Sequence, residues 1–221
     1  MTTTARGRAE DAAAATRRIL LATTNRAKLR EIRAVLDGLS IELITLTELP
    51  PILEPEETGI TFADNARLKA IYYAQAAARH VDGGALLTVA EDSGLVVDAL
   101  DGDPGVRSAR FLRADASYQE RFDEIYRRLA EHPDRPRTAR FVCALAAVRG
   151  KDVVFETTGV IEGEISAHPA GTRGFGYDPI FLYPSAGRTL AEASDELKRQ
   201  VSHRGHAFRA LRAWLIAGGS A

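Results

Sequence analysis

The sequence predicts an α/β protein with a mixed central sheet flanked by helices, arranged as two lobes around a cleft. Three observations carry that prediction. Short β-rich runs alternate with stretches of helical periodicity in the first part of the chain, as in βαβ units. Residues 138–149 and 153–165 then read as a long hairpin turning at Arg149-Gly150-Lys151-Asp152, after which the pattern returns to helix. Finally, the apolar run from Leu86 to Leu100 is broken by Glu91-Asp92-Ser93-Gly94. A buried carboxylate without a partner costs several kcal/mol, roughly, so that break has a purpose.

Taken in order, residues 1–16 are rich in Ala, Thr and Arg without apolar periodicity and are expected to form a disordered extension. A single two-lobed domain is expected over 17–218. Ile19-Leu20-Leu21-Ala22 is a short buried strand, and Thr23-Thr24-Asn25-Arg26-Ala27-Lys28 turns from it into a helix with an apolar face of Leu29, Ile32, Val35 and Leu36, ended by Gly38. Strand into polar turn into helix presents backbone N–H groups to an anion, with Lys28 adding charge, although the turn lacks the glycines of a Walker loop. Ile41 to Leu46 is a second strand. Pro50, Pro51, Pro55 and Gly59 then mark an extended loop made acidic by Glu54, Glu56 and Glu57.

Thr61 is the expected N-cap of a second helix, with Asp64 at the capping-box position and an Ala66, Ala70, Tyr73, Ala74, Ala77 stripe. Asn65 and Lys69, four apart on one face, are placed to point back at the acidic loop. In the central run the acids are read as sitting at a strand end, where Asp92 needs a cation, a donor or water. Asp101-Gly102-Asp103-Pro104-Gly105 is a turn, and residues 117–131 form a helix through Tyr118, Phe122, Ile125, Tyr126 and Leu129. The stretch Gly171-Thr172-Arg173-Gly174-Phe175-Gly176-Tyr177-Asp178-Pro179 sets three glycines around an aromatic pair, which lets the backbone approach a ligand while Phe175 or Tyr177 stacks on a planar ring. Lys198, Ser202, His203 and Arg204 stand at the mouth of a last helix that carries Phe208, Leu211 and Leu215.

Composition bounds the function. Across 221 residues, 45% hydrophobic and 27% charged content is that of an ordinary globular protein. No run approaches the roughly 18 apolar residues of a membrane span, and a cytoplasmic place is expected. Cys143 is the one cysteine, so there is no internal disulfide and no cysteine cluster for zinc; a small buried hydrophobe is its expected role. A net charge of −1 argues against a general nucleic-acid binder.

Taken together, these motifs resemble the inosine triphosphate pyrophosphatase (Ham1-type) family from Ile19 to Trp214. The resemblance is carried by Thr23 to Lys28 with Glu31, by Glu57-Thr58-Gly59-Ile60-Thr61-Phe62 with Asn65-Ala66 and Lys69-Ala70, and by Asp92-Ser93-Gly94-Leu95 with Val97 to Leu100 and Pro104-Gly105-Val106. Phe175-Gly176-Tyr177-Asp178-Pro179 and Ser202-His203-Arg204 complete it. Thr24 stands where the family commonly has glycine, and Arg199 where it often has asparagine.

The resemblance implies hydrolysis of ITP, dITP and XTP to the monophosphate and pyrophosphate with Mg2+, by a homodimer that needs no nucleic acid or membrane. It implies that Thr23, Thr24, Asn25, Arg26, Ala27 and Lys28 hold the triphosphate, and that Asp92 is proton acceptor and metal ligand beside the substrate contact Ser93. Phe175, Gly176, Tyr177 and Asp178 match the base loop, Lys198, His203 and Arg204 the remaining contacts, and Glu56 or Glu57 the second metal ligand. Asp98 is left a structural role. The alternatives are a Mg2+-dependent enzyme for another nucleoside triphosphate and a nucleotide-binding protein without turnover.

Overall fold

The computed structural model describes residues 17–81 and 86–219, so the expected extension over 1–16 lies outside the described residues. The strands are β1 (Arg17–Leu21), β2 (Ile41–Thr45), β3 (Leu87–Val97), β4 (Thr138–Arg149), β5 (Asp152–Ile165), β6 (Phe181–Tyr183) and β7 (Arg188–Thr189). The helices are α1 (Arg26–Leu36), α2 (Phe62–Ala77), α3 (Tyr118–Ala130), α4 (Asp195–Val201) and α5 (His203–Ile216). The seven strands make one mixed sheet in the order β2-β1-β3-β4-β5-β6-β7. β1 is parallel to both β2 and β3, whereas β3 to β7 pair antiparallel. Parallel neighbours need crossovers, which α1 and α2 provide.

Local chemistry starts the helices where the sequence places them. Asn25 Oδ1 accepts from the Ala27 and Lys28 N–H groups and caps α1. Thr61 caps α2, its oxygen accepting from Asp64 N–H and its hydroxyl donating to Asp64 Oδ2 at 2.6 Å. Ser117 and Glu120 close a capping box on α3. The last helix begins where expected, and a short helix not expected from the sequence precedes it: the Ser202 N–H ends α4 on Lys198 O, and its hydroxyl oxygen accepts from Gly205 N–H to begin α5. That break sets His203 and Arg204 in the first turn of α5.

The two faces of the sheet are packed by alternate residues of the same strands. Leu87 and Val89 of β3 with Cys143, Leu145 and Ala147 of β4 pack on α1 and α5, and Cys143 is fully buried there as expected. Ala90, Ala144, Ala146 and Val148 face α2 through its Ala66, Ala70, Tyr73 and Ala77. Further along, Leu95, Val97, Phe141 and Ile161 join α3 through Phe122, Ile125 and Leu129. Truncating Leu145, which is 1% exposed, to alanine would cost about 2–5 kcal/mol.

One expectation is corrected. The acids of the central run do not mark a strand end: β3 is continuous from Leu87 to Val97, with Glu91 opposite Leu145 and Asp92 opposite Ala144. A fully paired backbone accommodates acidic residues in mid-strand when each side chain finds a partner on its own face. Because successive residues point to opposite faces, Glu91 goes to the α1 and α5 side and Asp92 to the α2 side. Asp98, past the end of β3, accepts from Thr138 at 2.7 Å and Arg140 at 2.9 Å, as befits a structural carboxylate.

Candidate active site

On the α2 face, Lys69 lies between two carboxylates. Its Nζ is 2.7 Å from Asp92 Oδ1 and 2.8 Å from Glu57 Oε1, and Asn65 Nδ2 donates to Asp92 Oδ2 at 3.3 Å. Asn65 and Lys69 thus do point back at the acidic loop: Asn65 Oδ1 also accepts from Gly59 N–H at 2.8 Å. Arg110 Nη1 reaches Glu57 Oε2 at 2.5 Å. Glu56 is exposed and stands outside these contacts.

The two acids differ in proton affinity. Burial pushes the Asp92 carboxyl above its ordinary range although Lys69 pulls the other way. Burial also works on Glu57, but Lys69 and Arg110 together outweigh it and hold that carboxyl below its ordinary range. One group is thereby tuned to accept a proton and the other to stay ionised.

On the opposite face, Glu91 is fully enclosed and takes Lys28 Nζ at 2.6 Å and Arg204 Nε at 3.3 Å. Burial opposes its charge, yet Arg204 and Lys28 keep the carboxyl well below the usual range. Arg204 continues to Glu31 at 2.7 Å and donates to Ser93 Oγ at 2.9 Å. Lys198 joins Glu31 at 2.8 Å and Asp178 at 2.6 Å, and Asp178 Oδ2 accepts from Phe175 N–H at 2.8 Å. One chain of alternating charges therefore ties α1, β3, the glycine-rich loop, α4 and α5 together.

That chain borders a cavity of about 170 Å3 lined by ten of the predicted residues: Asn25, Lys28, Ser93, Phe175, Gly176, Tyr177, Asp178, Lys198, His203 and Arg204. Gly94 lines it too. A Cβ there would lie 2.4 Å from Ser108 Oγ and 2.5 Å from Gly105 O, so no side chain fits. Of the loop aromatics, Tyr177 is committed to the interior, its hydroxyl donating to Ser108 O at 2.8 Å and its ring edge-on to Tyr118. Phe175 is half-buried, with Lys198 Nζ 4.8 Å and the Arg204 guanidinium 5.5 Å from its centroid, and is the ring free to meet a planar ligand.

Other predicted residues fall outside this lining. Thr23, Thr24 and Arg26 stand in the turn and first turn of α1, Thr23 Oγ1 accepting from Asn25 N–H. Ala27 borders a neighbouring cavity of about 530 Å3. The Ala27 and Lys28 N–H groups, expected to face an anion, are engaged by Asn25. Asp92 lies just off the cavity, joined to it by Ser93 and Gly94 of the same strand. Sequence reasoning assigned no role to Glu91 and none to Glu31, which appeared there only as part of a motif; the period-2 alternation within Glu91-Asp92-Ser93 was the available signal.

A mixed sheet whose central strand carries acids to both faces, beside a cleft lined by lysines, arginine and a stacking aromatic, defines a protein built to take an anionic ligand with a planar part. A model of the Ham1 family matches residues 19–214, and the chain belongs to that family. It is 42% identical to a dITP/XTP pyrophosphatase of Halalkalibacterium halodurans over 89% of this chain and 97% of that one. A dITP/XTP pyrophosphatase of Geobacter sulfurreducens is 45% identical over 88% of this chain and 94% of its own. In three dimensions the chain resembles a HAM1 protein from Coxiella burnetii, with a TM-score of 0.81, 38% identity, and coverage of 91% and 99% of the two chains.

Proposed function

We propose that this chain hydrolyses deaminated purine nucleoside triphosphates, ITP, dITP and XTP, to the monophosphate and pyrophosphate, clearing them from the nucleotide pool. Identity above 40% to dITP/XTP pyrophosphatases over nearly the whole of each chain supports the reaction class. The single observation that carries the site assignment is the contact of Asp92 and Glu57 with one ammonium, Lys69, at 2.7 and 2.8 Å.

In this reading Lys28 faces the charge of the nucleotide and offsets the repulsion a polyphosphate presents to a nucleophile. Asp92, whose burial raises its proton affinity, takes the proton of the attacking water as that water adds in line at the α-phosphorus and the bond from that phosphorus to the oxygen bridging to the β-phosphorus breaks, releasing pyrophosphate. Lys69 orients the Asp92 carboxylate and Asn65 fixes its second oxygen. Phe175 stacks on the base, and Lys198, His203 and Arg204 meet its edge. Donors at that edge favour a 6-oxo over a 6-amino purine, and a site built on such polar readout can discriminate by roughly 10⁴.

The donor set suits Mg2+. Two carboxylates facing one ammonium are hard oxygen donors, and Mg2+ is commonly held by one or two carboxylates together with waters and substrate phosphates. Among the described residues no cluster of three or more His, Cys, Asp or Glu is preformed for a metal, which a Mg2+ sharing phosphate oxygens does not require. Asp92 and Glu57 would hold it; when bound it supplies charge neutralisation and a more acidic water. Among the described residues no helix is long and apolar enough to cross a membrane. Work in the cytoplasm and a homodimeric assembly are part of the proposal.

Incubating the pure protein with each nucleoside triphosphate and Mg2+ tests the proposal. IMP and pyrophosphate from ITP, at a rate well above that for ATP and GTP, are expected. Absence of both products, or a faster pyrimidine nucleotide, refutes it.

A further inference from the structure

We infer that Phe141 of β4 and Gly159 of β5 together seat His203 in one orientation at the cavity wall, which makes Phe141 a positioning residue for the choice of base. The inference rests on the pyrophosphatase reading above. Phe141 also forms part of the cavity wall, and the inference concerns the orientation that it gives His203.

The Phe141 and His203 rings are stacked, with centroids 4.8 Å apart and planes 15° apart. Phe141 is itself backed by the wholly buried Phe181, centroid to centroid 4.6 Å. The stack therefore rests on the core of the sheet and does not tilt freely. Gly159 meets the same residue from the next strand. A Cβ at Gly159 would lie 2.0 Å from His203 O and 2.7 Å from Ala207 N, so the first turn of α5 sits directly on the backbone of β5. His206 holds that contact, its Nδ1 lying 2.9 Å from Val160 O.

In the hairpin ladder Phe141 is opposite Ile161, and Gly159 is opposite Cys143, two residues further along β4. Both supports thus come from one face of one hairpin. The helix is lowered onto the strand at the glycine, and the imidazole is laid flat on the phenyl ring.

His203 is 6% exposed, and its Nδ1 has no hydrogen-bond partner among the described residues. Burial, and then the Arg204 guanidinium, hold its pKa well below the ordinary value, so the ring is neutral. A neutral imidazole has one donor and one acceptor. Held flat, it presents one defined edge to the cavity. A ring free to turn accepts from a 6-amino group as readily as it donates to a 6-oxo group. Loss of the stack should therefore cost selectivity before it costs turnover.

The test is steady-state hydrolysis of ITP and ATP by the full chain with Mg2+, in wild type, Phe141→Leu and Phe141→Tyr, with folding checked by thermal unfolding. Phe141→Leu is expected to lower the ITP-to-ATP ratio of kcat/KM about tenfold, on the scale of one aromatic pair, through KM for ITP with kcat retained. Phe141→Tyr keeps the stack and is expected to keep the ratio. A folded Phe141→Leu in which both substrates fall together, leaving the ratio unchanged, overturns the inference, because lost packing alone scales both equally. Should Phe141→Leu fail to fold, Phe141→Ile, which suits a strand and equally lacks the ring, carries the same expected fall and the same refutation. A wild type that hydrolyses neither nucleotide refutes the functional reading instead, so the two failures are distinguishable.

Discussion

Replacing Lys69 with methionine removes the cation between two carboxylates and keeps the volume of the side chain. Its Nζ lies 2.7 Å from Asp92 and 2.8 Å from Glu57, and the side chains of Lys69, Asp92 and Glu57 are 10%, 9% and 16% exposed. Breaking a buried ion pair from one side costs about 3–5 kcal/mol, because the remaining charge is stranded out of water. Proton uptake limits that loss. Each unit by which a stranded carboxyl is raised corresponds to about 1.4 kcal/mol, so the variant discards charge rather than bear the whole cost.

The sign follows from linkage. In Lys69→Met the Asp92 carboxyl, already above its ordinary range, rises further while Glu57 keeps Arg110, so the native state binds more protons and the deficit relative to wild type grows as pH rises through the carboxylate range. Urea unfolding should show a loss of about 3 kcal/mol near pH 8 and a smaller one near pH 5. The double variant Lys69→Met with Asp92→Asn, which has one stranded charge fewer, should recover more than half of it. A loss below about 1 kcal/mol that is independent of pH would show that Lys69 does not hold these carboxylates in solution.

Asp92→Asn should lower kcat by about 10²–10⁴ while nucleotide still binds in equilibrium dialysis, and unchanged turnover would remove Asp92 from proton transfer. Glu57→Gln should raise the Mg2+ concentration for half-maximal rate about tenfold, whereas Glu56→Gln should leave it in place; equal shifts would deny Glu57 its special position. Glu91 has a folded pKa well below its unfolded one, so its contribution is present above the ordinary carboxylate range and lost as pH falls. Stability by urea midpoint should therefore drop from about pH 5 to about pH 3 more steeply in wild type than in Glu91→Gln. Parallel slopes would refute that assignment.

Much of the fold was legible in local pattern. Helix α1 on Leu29, Ile32 and Leu36, the Thr61 cap, the stripe of α2 and the hairpin at Gly150 lie where periodicity and turn chemistry place them, because each is decided by neighbours within a few residues. The short helix α4 was not legible: seven residues carry too little periodicity to reveal it, and a serine that ends one helix while capping the next looks like any serine. The same limit produced the misplaced strand end at Glu91-Asp92, where polarity read as a terminus is a fully paired mid-strand whose acids are answered by helices distant in sequence.

By itself, the sequence determined the residue types of the site and their order along the chain: the acids of β3, the lysines, the glycine-rich aromatic loop and the Ser202-His203-Arg204 turn. Only the tertiary structure decided how they are divided. Glu57, not Glu56, meets Lys69; Tyr177 is tied inward while Phe175 stays free; and Glu91 and Asp92, neighbours in sequence, serve opposite faces of one sheet. The physical reason is that a strand alternates its side chains and a buried charge must be matched where it emerges. Its partner is then chosen by which helix packs on that face, a matter settled by contacts across 23 positions between Lys69 and Asp92 and 113 between Glu91 and Arg204.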